Sequence, residues 1–104
     1  MAHVLIALGS NRGDREARLE FALTAIGALP GTTVLTSSVP METAPVGGVA
    51  TGDFLNAAAI LETKLEPMPL LEHLQAIEEE AGRPPVNERE RWGDRELDLD
   101  ILLY

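Results

Sequence analysis

Three observations in the sequence predict an α+β fold with the element order β-α-β-β-α-β. Four runs have the apolar, β-branched or alternating pattern of strands: 4–8, 33–39, 53–63 and 97–103. Two segments carry apolar residues at helical spacing: about 15–28, and from Pro67 or Pro69 to 81. The two helices follow the first and the third strand, which gives the predicted order.

The first strand, Val4–Leu8, is almost entirely apolar, which indicates a central strand covered on both faces. The turn that follows, Gly9–Gly13, does not have the G-x-x-x-x-G-K-[ST] pattern of a phosphate-binding loop, so we expect a tight structural turn. Asp14 can cap the first helix. The apolar stripe of that helix has i, i+4, i+7 spacing: Leu19, Leu23 and Ile26.

The third strand, Asp53–Thr63, places an aromatic ring and a carboxamide on one face, at Phe54 and Asn56. The aliphatic residues divide between the faces: Ala58 and Ile60 on that face, and Leu55, Ala57, Ala59 and Leu61 on the other. Phe54 and Asn56 can stack on a planar heterocycle and bind its edge. Alternatively, Phe54 belongs to the core and the backbone satisfies Asn56, which the residues alone favour. The preceding segment, 44–52, is either a connector or a lid.

The second helix is amphipathic and is expected to stop at Gly82. Its buried stripe is predicted to be Leu70, Leu74, Ile77 and Ala81. Gln75 and Glu78 are i, i+3 neighbours beside that stripe, and the acidic run Glu78–Glu80 is expected to be mostly solvated. A second polar loop, 83–90, leads toward the last strand.

The predicted order is the ferredoxin-like arrangement, with two helices on one face of an antiparallel four-stranded sheet. A chain of 104 residues suits a single domain, 1–104. The absence of cysteine, of a signal peptide and of a membrane span favours a cytoplasmic protein. A net charge of -9 argues against a general nucleic-acid or membrane surface. It does not argue against ATP, since local arginines and bound Mg²⁺ decide that.

The last strand places Asp98 and Asp100 on one face, with Cα atoms roughly 6.5 Å apart. Its apolar side chains point the other way: Leu97, Leu99 and Ile101. Mg²⁺ commonly binds one or two carboxylates and keeps water and phosphate oxygens as its other ligands. Arg91 and Arg95 bracket Trp92 just upstream, a set suited to a polyanion with a planar partner. The alternative is a solvated strand face with surface ion pairs, and periodicity alone leaves the choice open.

The sequence resembles the 6-hydroxymethyl-7,8-dihydropterin pyrophosphokinases of folate biosynthesis. The resemblance depends on motifs that follow the family's order along essentially the whole chain: Ala7–Asn11, Glu42–Pro45, Asp53–Ala58, Gln75–Glu78, Gly82–Arg83 and Arg91–Ile101. It implies a ferredoxin-like core that transfers pyrophosphate from ATP to the pterin hydroxymethyl group in the presence of Mg²⁺ and releases AMP.

Position by position, the resemblance also implies site residues. The ligands of two Mg²⁺ ions are Asp98 and Asp100, which form the catalytic set with Arg91 and Arg95. The implied nucleotide contacts are Gln75, Glu78, Arg91, Trp92, Arg95 and Ile101. The implied pterin pocket is Thr43, Pro45, Val46, Phe54, Asn56 and Trp92. No general base is evident, which leaves metal activation of the substrate hydroxyl.

Two departures from the family pattern bear on activity. Asp94 replaces the family's proline between the two arginines, and the chain stops at Tyr104, before the family's C-terminal segment. We therefore expect poor activity, marginal stability or self-association through an uncovered sheet edge for these 104 residues. The alternatives are a truncated homologue that binds Mg²⁺ and nucleotide without turnover, or a ferredoxin-like interaction module, which the motifs make less favoured.

Overall fold

The computed structural model describes residues 1–11, 13–43, 53–82 and 97–104. Its elements in chain order are β1 (Ala2–Ser10), α1 (Arg15–Gly27), β2 (Thr32–Ser37), β3 (Met41–Thr43), β4 (Phe54–Thr63), α2 (Pro67–Glu80) and β5 (Asp98–Leu103). The predicted α+β order is confirmed, with one short strand, β3, in addition to the four that the sequence predicts.

The sheet has the strand order β2-β4-β1-β5, and β3 pairs with β4 beyond the end of β2. Every pairing is antiparallel. Where β2 ends, Ser38 donates its N–H to the Ala58 carbonyl at 2.8 Å and accepts the Ala58 N–H on its hydroxyl at 2.9 Å. Pro40 follows and has no N–H to donate, so it cannot supply the ladder bonds that would join β2 to β3. The four-stranded expectation is therefore corrected to a four-stranded core with a separate edge strand.

The core lies between one face of the sheet and the two helices. In β1, Val4, Ile6 and Leu8 are buried in one cluster with residues of α1, α2, β4 and β5. The alternate residues Leu5 and Ala7 are only half-buried. The prediction that this strand is covered on both faces is thus wrong for the described residues. Both helices lie on one side of this antiparallel sheet, so within the described ranges no helix covers its other face, which is called the open face below.

Both helices begin and end where their sequence signals indicate. The Asp14 carboxylate caps α1 by accepting the Ala17 N–H at 3.1 Å. Gly82, with φ +102°, follows α2 in a conformation that favours glycine. The predicted α2 stripe is buried: Leu70, Leu74, Ile77 and Ala81. The predicted α1 stripe is buried at Leu19 and Ile26, while Leu23 is partly buried and Ala22 completes the face.

Neither of the two described helices, α1 and α2, has the length and the apolar composition that crossing a membrane requires.

Candidate functional site

The open face of the sheet carries the predicted site residues in rows that cross three strands. In one row, Gly9 of β1 pairs with Asn56 of β4 on one side and with Asp98 of β5 on the other. In the next row, Ala7 lies between Ala58 and Asp100. Directly paired residues share a face, so Asn56 and Asp98 point to the same side of the sheet at a distance of about 9.5 Å, or two strand spacings.

The two aspartates at the edge of this face alternate with buried leucines, as the sequence predicts. Asp98 is half-buried and Asp100 is exposed, whereas Leu97 and Leu99 belong to the core. Both carboxylates offer the hard oxygen donors that suit Mg²⁺. Within the described ranges, no group of three or more acidic, His or Cys side chains is placed to hold a metal. A pair of carboxylates leaves the remaining positions of a magnesium ion to water and phosphate oxygens, so the donor set fits Mg²⁺ bound together with a nucleotide.

On the other side of β1, three residues of the implied pterin pocket lie together. Thr43 pairs with Phe54 in the β3–β4 ladder, and the Asn56 Nδ2 donates to the Thr43 hydroxyl at 2.6 Å. Phe54 is half-buried on the open face and is not part of the helix-covered core. The structure therefore places an aromatic ring and a carboxamide beside each other on an accessible surface, which the residues alone made the less favoured interpretation.

Gly9 makes this arrangement possible because it has no side chain. A Cβ atom on Gly9 would lie 3.1 Å from the Asn56 Oδ1 and 3.7 Å from Cδ1 of the Phe54 ring. The first distance is shorter than an ordinary van der Waals contact, so the glycine lets the Asn56 and Phe54 side chains lie close to the backbone of β1. At Gly9, β1 therefore places no side chain between the implied pterin residues and the aspartates.

The implied nucleotide residues of α2 and β5 have different environments. Gln75 and Ile101 are half-buried, whereas Glu78 is only 2% exposed and its carboxylate accepts the Leu99 backbone N–H at 2.7 Å. The prediction of a solvated acidic run holds for Glu79 and Glu80 and is wrong for Glu78. The reason is that α2 packs against β5 and turns this residue toward the strand. A contact between Glu78 and a nucleotide stays a prediction.

One residue of this region was missed by sequence reasoning. Arg15, the first residue of α1, donates to the Asp53 carbonyl at 3.0 Å and to a Glu42 carboxylate oxygen at 2.5 Å. Both partners directly precede implied pterin residues, namely Thr43 and Phe54. The only signal in the sequence was a cation at the start of a helix, where the helix dipole favours anions.

Five of the predicted residues lie outside the described part of the chain: Pro45, Val46, Arg91, Trp92 and Arg95. The same holds for the predicted loops 44–52 and 83–90 and for Asp94.

Comparison with known proteins gives one consistent result. The family model for 7,8-dihydro-6-hydroxymethylpterin-pyrophosphokinase matches residues 5–104. A 2-amino-4-hydroxy-6-hydroxymethyldihydropteridine pyrophosphokinase of Haemophilus influenzae is 45% identical over 104 residues, covering 100% of this chain and 63% of the relative. The enzyme of that name from Bacillus subtilis is 46% identical over 99 residues, covering 95% of this chain and 58% of the relative. The one from Pseudomonas aeruginosa is 44% identical over 101 residues, covering 97% and 60%. The chain thus spans about three fifths of the length of these curated relatives.

Proposed function

Because the chain belongs to the 7,8-dihydro-6-hydroxymethylpterin-pyrophosphokinase family, we propose that its open sheet face transfers pyrophosphate from ATP to a pterin. In this reaction the hydroxyl oxygen of 6-hydroxymethyl-7,8-dihydropterin forms a bond to the β-phosphorus of ATP. The bond from that phosphorus to the oxygen of the α-phosphate breaks, AMP leaves with that oxygen, and the proton of the pterin hydroxyl passes to solvent. Transfer of this kind requires alignment and neutralisation of charge more than covalent help from the protein.

The observation that carries the proposal is the row Asn56–Gly9–Asp98 across β4, β1 and β5. It brings a candidate heterocycle pocket and a candidate cation site onto one surface, with only a glycine between them. A reaction between a planar acceptor and a metal-bound polyphosphate needs these two sites side by side.

On the pterin side, we assign Phe54 to contact the flat face of the ring and Asn56 to hydrogen-bond its edge. The Asn56 amide group accepts with Oδ1 and donates with Nδ2, and its bond to Thr43 holds it in one orientation. A pterin edge carries both donors and acceptors, so a fixed carboxamide can distinguish it from other planar rings. Pro45, Val46 and Trp92 complete the proposed pocket on the strength of the family resemblance.

On the phosphate side, we assign Asp98 and Asp100 to hold Mg²⁺ with ATP, two ions in the complete complex. When bound, Mg²⁺ supplies neutralisation of the phosphate oxygens and lowers the pKa of a bound hydroxyl. The chain's own residues orient the reactants: Arg91 and Arg95 are assigned to the transferred phosphates, and Gln75, Glu78, Trp92 and Ile101 to the nucleotide. The cytoplasm is the proposed location.

The test is AMP formation from Mg-ATP and 6-hydroxymethyl-7,8-dihydropterin by the 104-residue protein, with Mg²⁺-dependent ATP binding measured in parallel. Asp98→Ala and Asp100→Ala are expected to reduce both signals by a factor on the order of 100 or more, since each removes a direct metal ligand. Glu79→Ala is the matched control, because it removes an exposed carboxylate from α2 and leaves the sheet face unchanged.

The outcomes separate three interpretations. AMP formation that is lost in both aspartate variants and kept in Glu79→Ala supports the proposed transferase. Binding without turnover, again lost in the aspartate variants, supports a homologue that binds Mg²⁺ and nucleotide only. ATP binding that is equal in all four proteins would contradict the assignment of Asp98 and Asp100 as metal ligands.

A further inference from the structure

The Arg15 guanidinium connects the start of α1 to two strands that carry the proposed pterin residues. One Nη donates to the Asp53 carbonyl at 3.0 Å, and the other donates to the Glu42 carboxylate at 2.5 Å. Asp53 is the residue before Phe54 at the start of β4, and Glu42 is the residue before Thr43 at the end of β3. One side chain therefore holds both strands at the point where they reach the proposed pocket.

The strand β3 needs such support because it is short. It contains three residues, all of them exposed, and its ladder with β4 has three residue pairs: Met41–Asn56, Glu42–Leu55 and Thr43–Phe54. Isolated short pairings contribute little stability of their own in water. The 2.6 Å bond between Asn56 and Thr43 depends on where this strand lies.

Stability alone gives a weak reason for the Arg15 contacts. The side chains of Arg15 and Glu42 are 31% and 57% exposed, and ion pairs at such positions contribute little to the free energy of unfolding. Arg15 also stands at the first position of α1, where a positive charge is unfavourable beside the helix dipole. What a guanidinium adds at this place is direction, because its planar fork makes two hydrogen bonds at a fixed angle.

We propose that Arg15 is a positioning residue for the pterin half of the site. By holding Glu42 and Asp53, it fixes the register of Thr43 against Phe54 and thereby the orientation of the Asn56 carboxamide. It touches neither reactant and acts through these strands. The inference rests on the proposed function, since the pocket it positions is the one assigned there to the pterin.

The experiment measures two equilibrium constants for each variant. One is the Kd for 6-hydroxymethylpterin, and the other is the Kd for a non-hydrolysable ATP analogue in the presence of Mg²⁺. Arg15→Ala is expected to raise the Kd for the pterin on the order of tenfold and to leave the Kd for the nucleotide within about twofold, since displacement of positioned groups by a fraction of an ångström weakens only the contacts they make. Arg15→Lys keeps the charge without the guanidinium fork, so its Kd for the pterin should rise by an intermediate factor. Glu42→Gln keeps an acceptor oxygen for Arg15, so its Kd for the pterin should rise least.

The matched control is Glu62→Ala, which breaks another exposed side-chain contact of the same sheet, between the Glu62 carboxylate and the His3 Nε2 at 3.3 Å. Glu62 is six residues from Asn56 along β4, or about 20 Å away, so pterin binding should be unchanged. If Arg15→Ala acted only through a general loss of stability, the Kd values for both ligands would rise. The loss of the Glu62 contact in the control would then have the same effect.

Two results would overturn the inference. The first is an unchanged pterin Kd in Arg15→Ala when the original protein binds pterin. The second is an unshifted set of Asn56 side-chain signals, and it is needed if the original protein binds no pterin, a finding that would refute the proposed function. In that case the ¹⁵N-detected side-chain amide signals of Asn56 decide: they should shift in Arg15→Ala and stay in place in Glu62→Ala. Unshifted Asn56 signals would refute the positioning role independently of any ligand.

Discussion

The Glu78 carboxylate on α2 accepts the backbone N–H of Leu99 in β5 over 2.7 Å, from a buried position. Leu99 stands between Asp98 and Asp100, and among the described strands β5 pairs only with β1. An N–H on the outer side of an edge strand has no partner from the sheet, so it needs one from elsewhere in the molecule. The helix thus provides a partner for the segment of the strand that carries the two proposed metal ligands.

Replacement of Glu78 should therefore destabilise the protein through the backbone of β5. Glu78→Ala leaves the Leu99 N–H without this acceptor, which costs about 1–3 kcal/mol of unfolding free energy. Glu78→Gln retains an acceptor oxygen and should lose less. Urea unfolding of both variants measures the difference. Glu79→Ala, its exposed neighbour, should unfold like the original protein. Equal unfolding free energies for Glu78→Ala and Glu79→Ala would show that the hydrogen bond adds nothing.

A methyl group at Gly9 should weaken pterin binding more than it weakens the fold. In Gly9→Ala the new Cβ would stand 3.1 Å from the Asn56 Oδ1, so the carboxamide must move. We expect the Kd for 6-hydroxymethylpterin to rise on the order of tenfold. Gly27→Ala is the control, because its Cβ would meet only a Val34 methyl group at 3.9 Å and alanine suits a helix better. An unaltered Kd in Gly9→Ala would place the pterin elsewhere.

Loss of the α1 cap should lower stability without affecting the site chemistry directly. Asp14→Ala removes the acceptor of the Ala17 N–H, which costs about 1 kcal/mol. Asp14→Asn keeps a capping oxygen and should recover most of that loss. Thermal unfolding followed by circular dichroism compares the three proteins. The cap would be shown to be dispensable if Asp14→Ala melted at the original temperature.

The outer edge of β5 should favour association between copies of the 104-residue chain. Leu103 is 67% exposed at the end of β5, which is an edge strand among the described strands, and edges with apolar side chains pair readily with other chains. Leu103→Lys should therefore shift sedimentation profiles toward monomer. Leu35→Lys tests the opposite edge, since Leu35 in β2 is 49% exposed. A protein that is monomeric at every concentration before substitution would contradict this prediction.

Local patterns in the sequence were sufficient to predict most of the fold. The alternation of Asp98 and Asp100 with leucines predicted which side of β5 is buried, because a period of two leaves only one way to cover a strand. Turn and cap residues such as Asp14 and Gly82 marked the helix ends correctly, since their preferences depend on nearby backbone alone.

Features that depend on distant partners could not be predicted. The strand β3 has three residues and no periodic pattern, and it exists because β4 lies beside it. The continuous apolar run of β1 does not reveal that helices cover only one of its faces. Glu78 looked like its acidic neighbours, because nothing local distinguishes a carboxylate that a strand from another part of the chain will bury. The partners of Arg15 are likewise 27 and 38 positions away.

The pairing of β1 with β5 also constrains when the site can assemble as the protein is made. Ile6 pairs with Ile101, so the first strand must wait until residue 101 has been made before its second neighbour exists. The β1–β4 pairing needs less of the chain, and it already brings Gly9 beside Asn56. Contacts between such distant segments form slowly, because closing a long loop costs entropy before it is compensated. On a ribosome, the proposed pterin side would therefore take shape first, and the carboxylate pair would join it only after synthesis had passed β5.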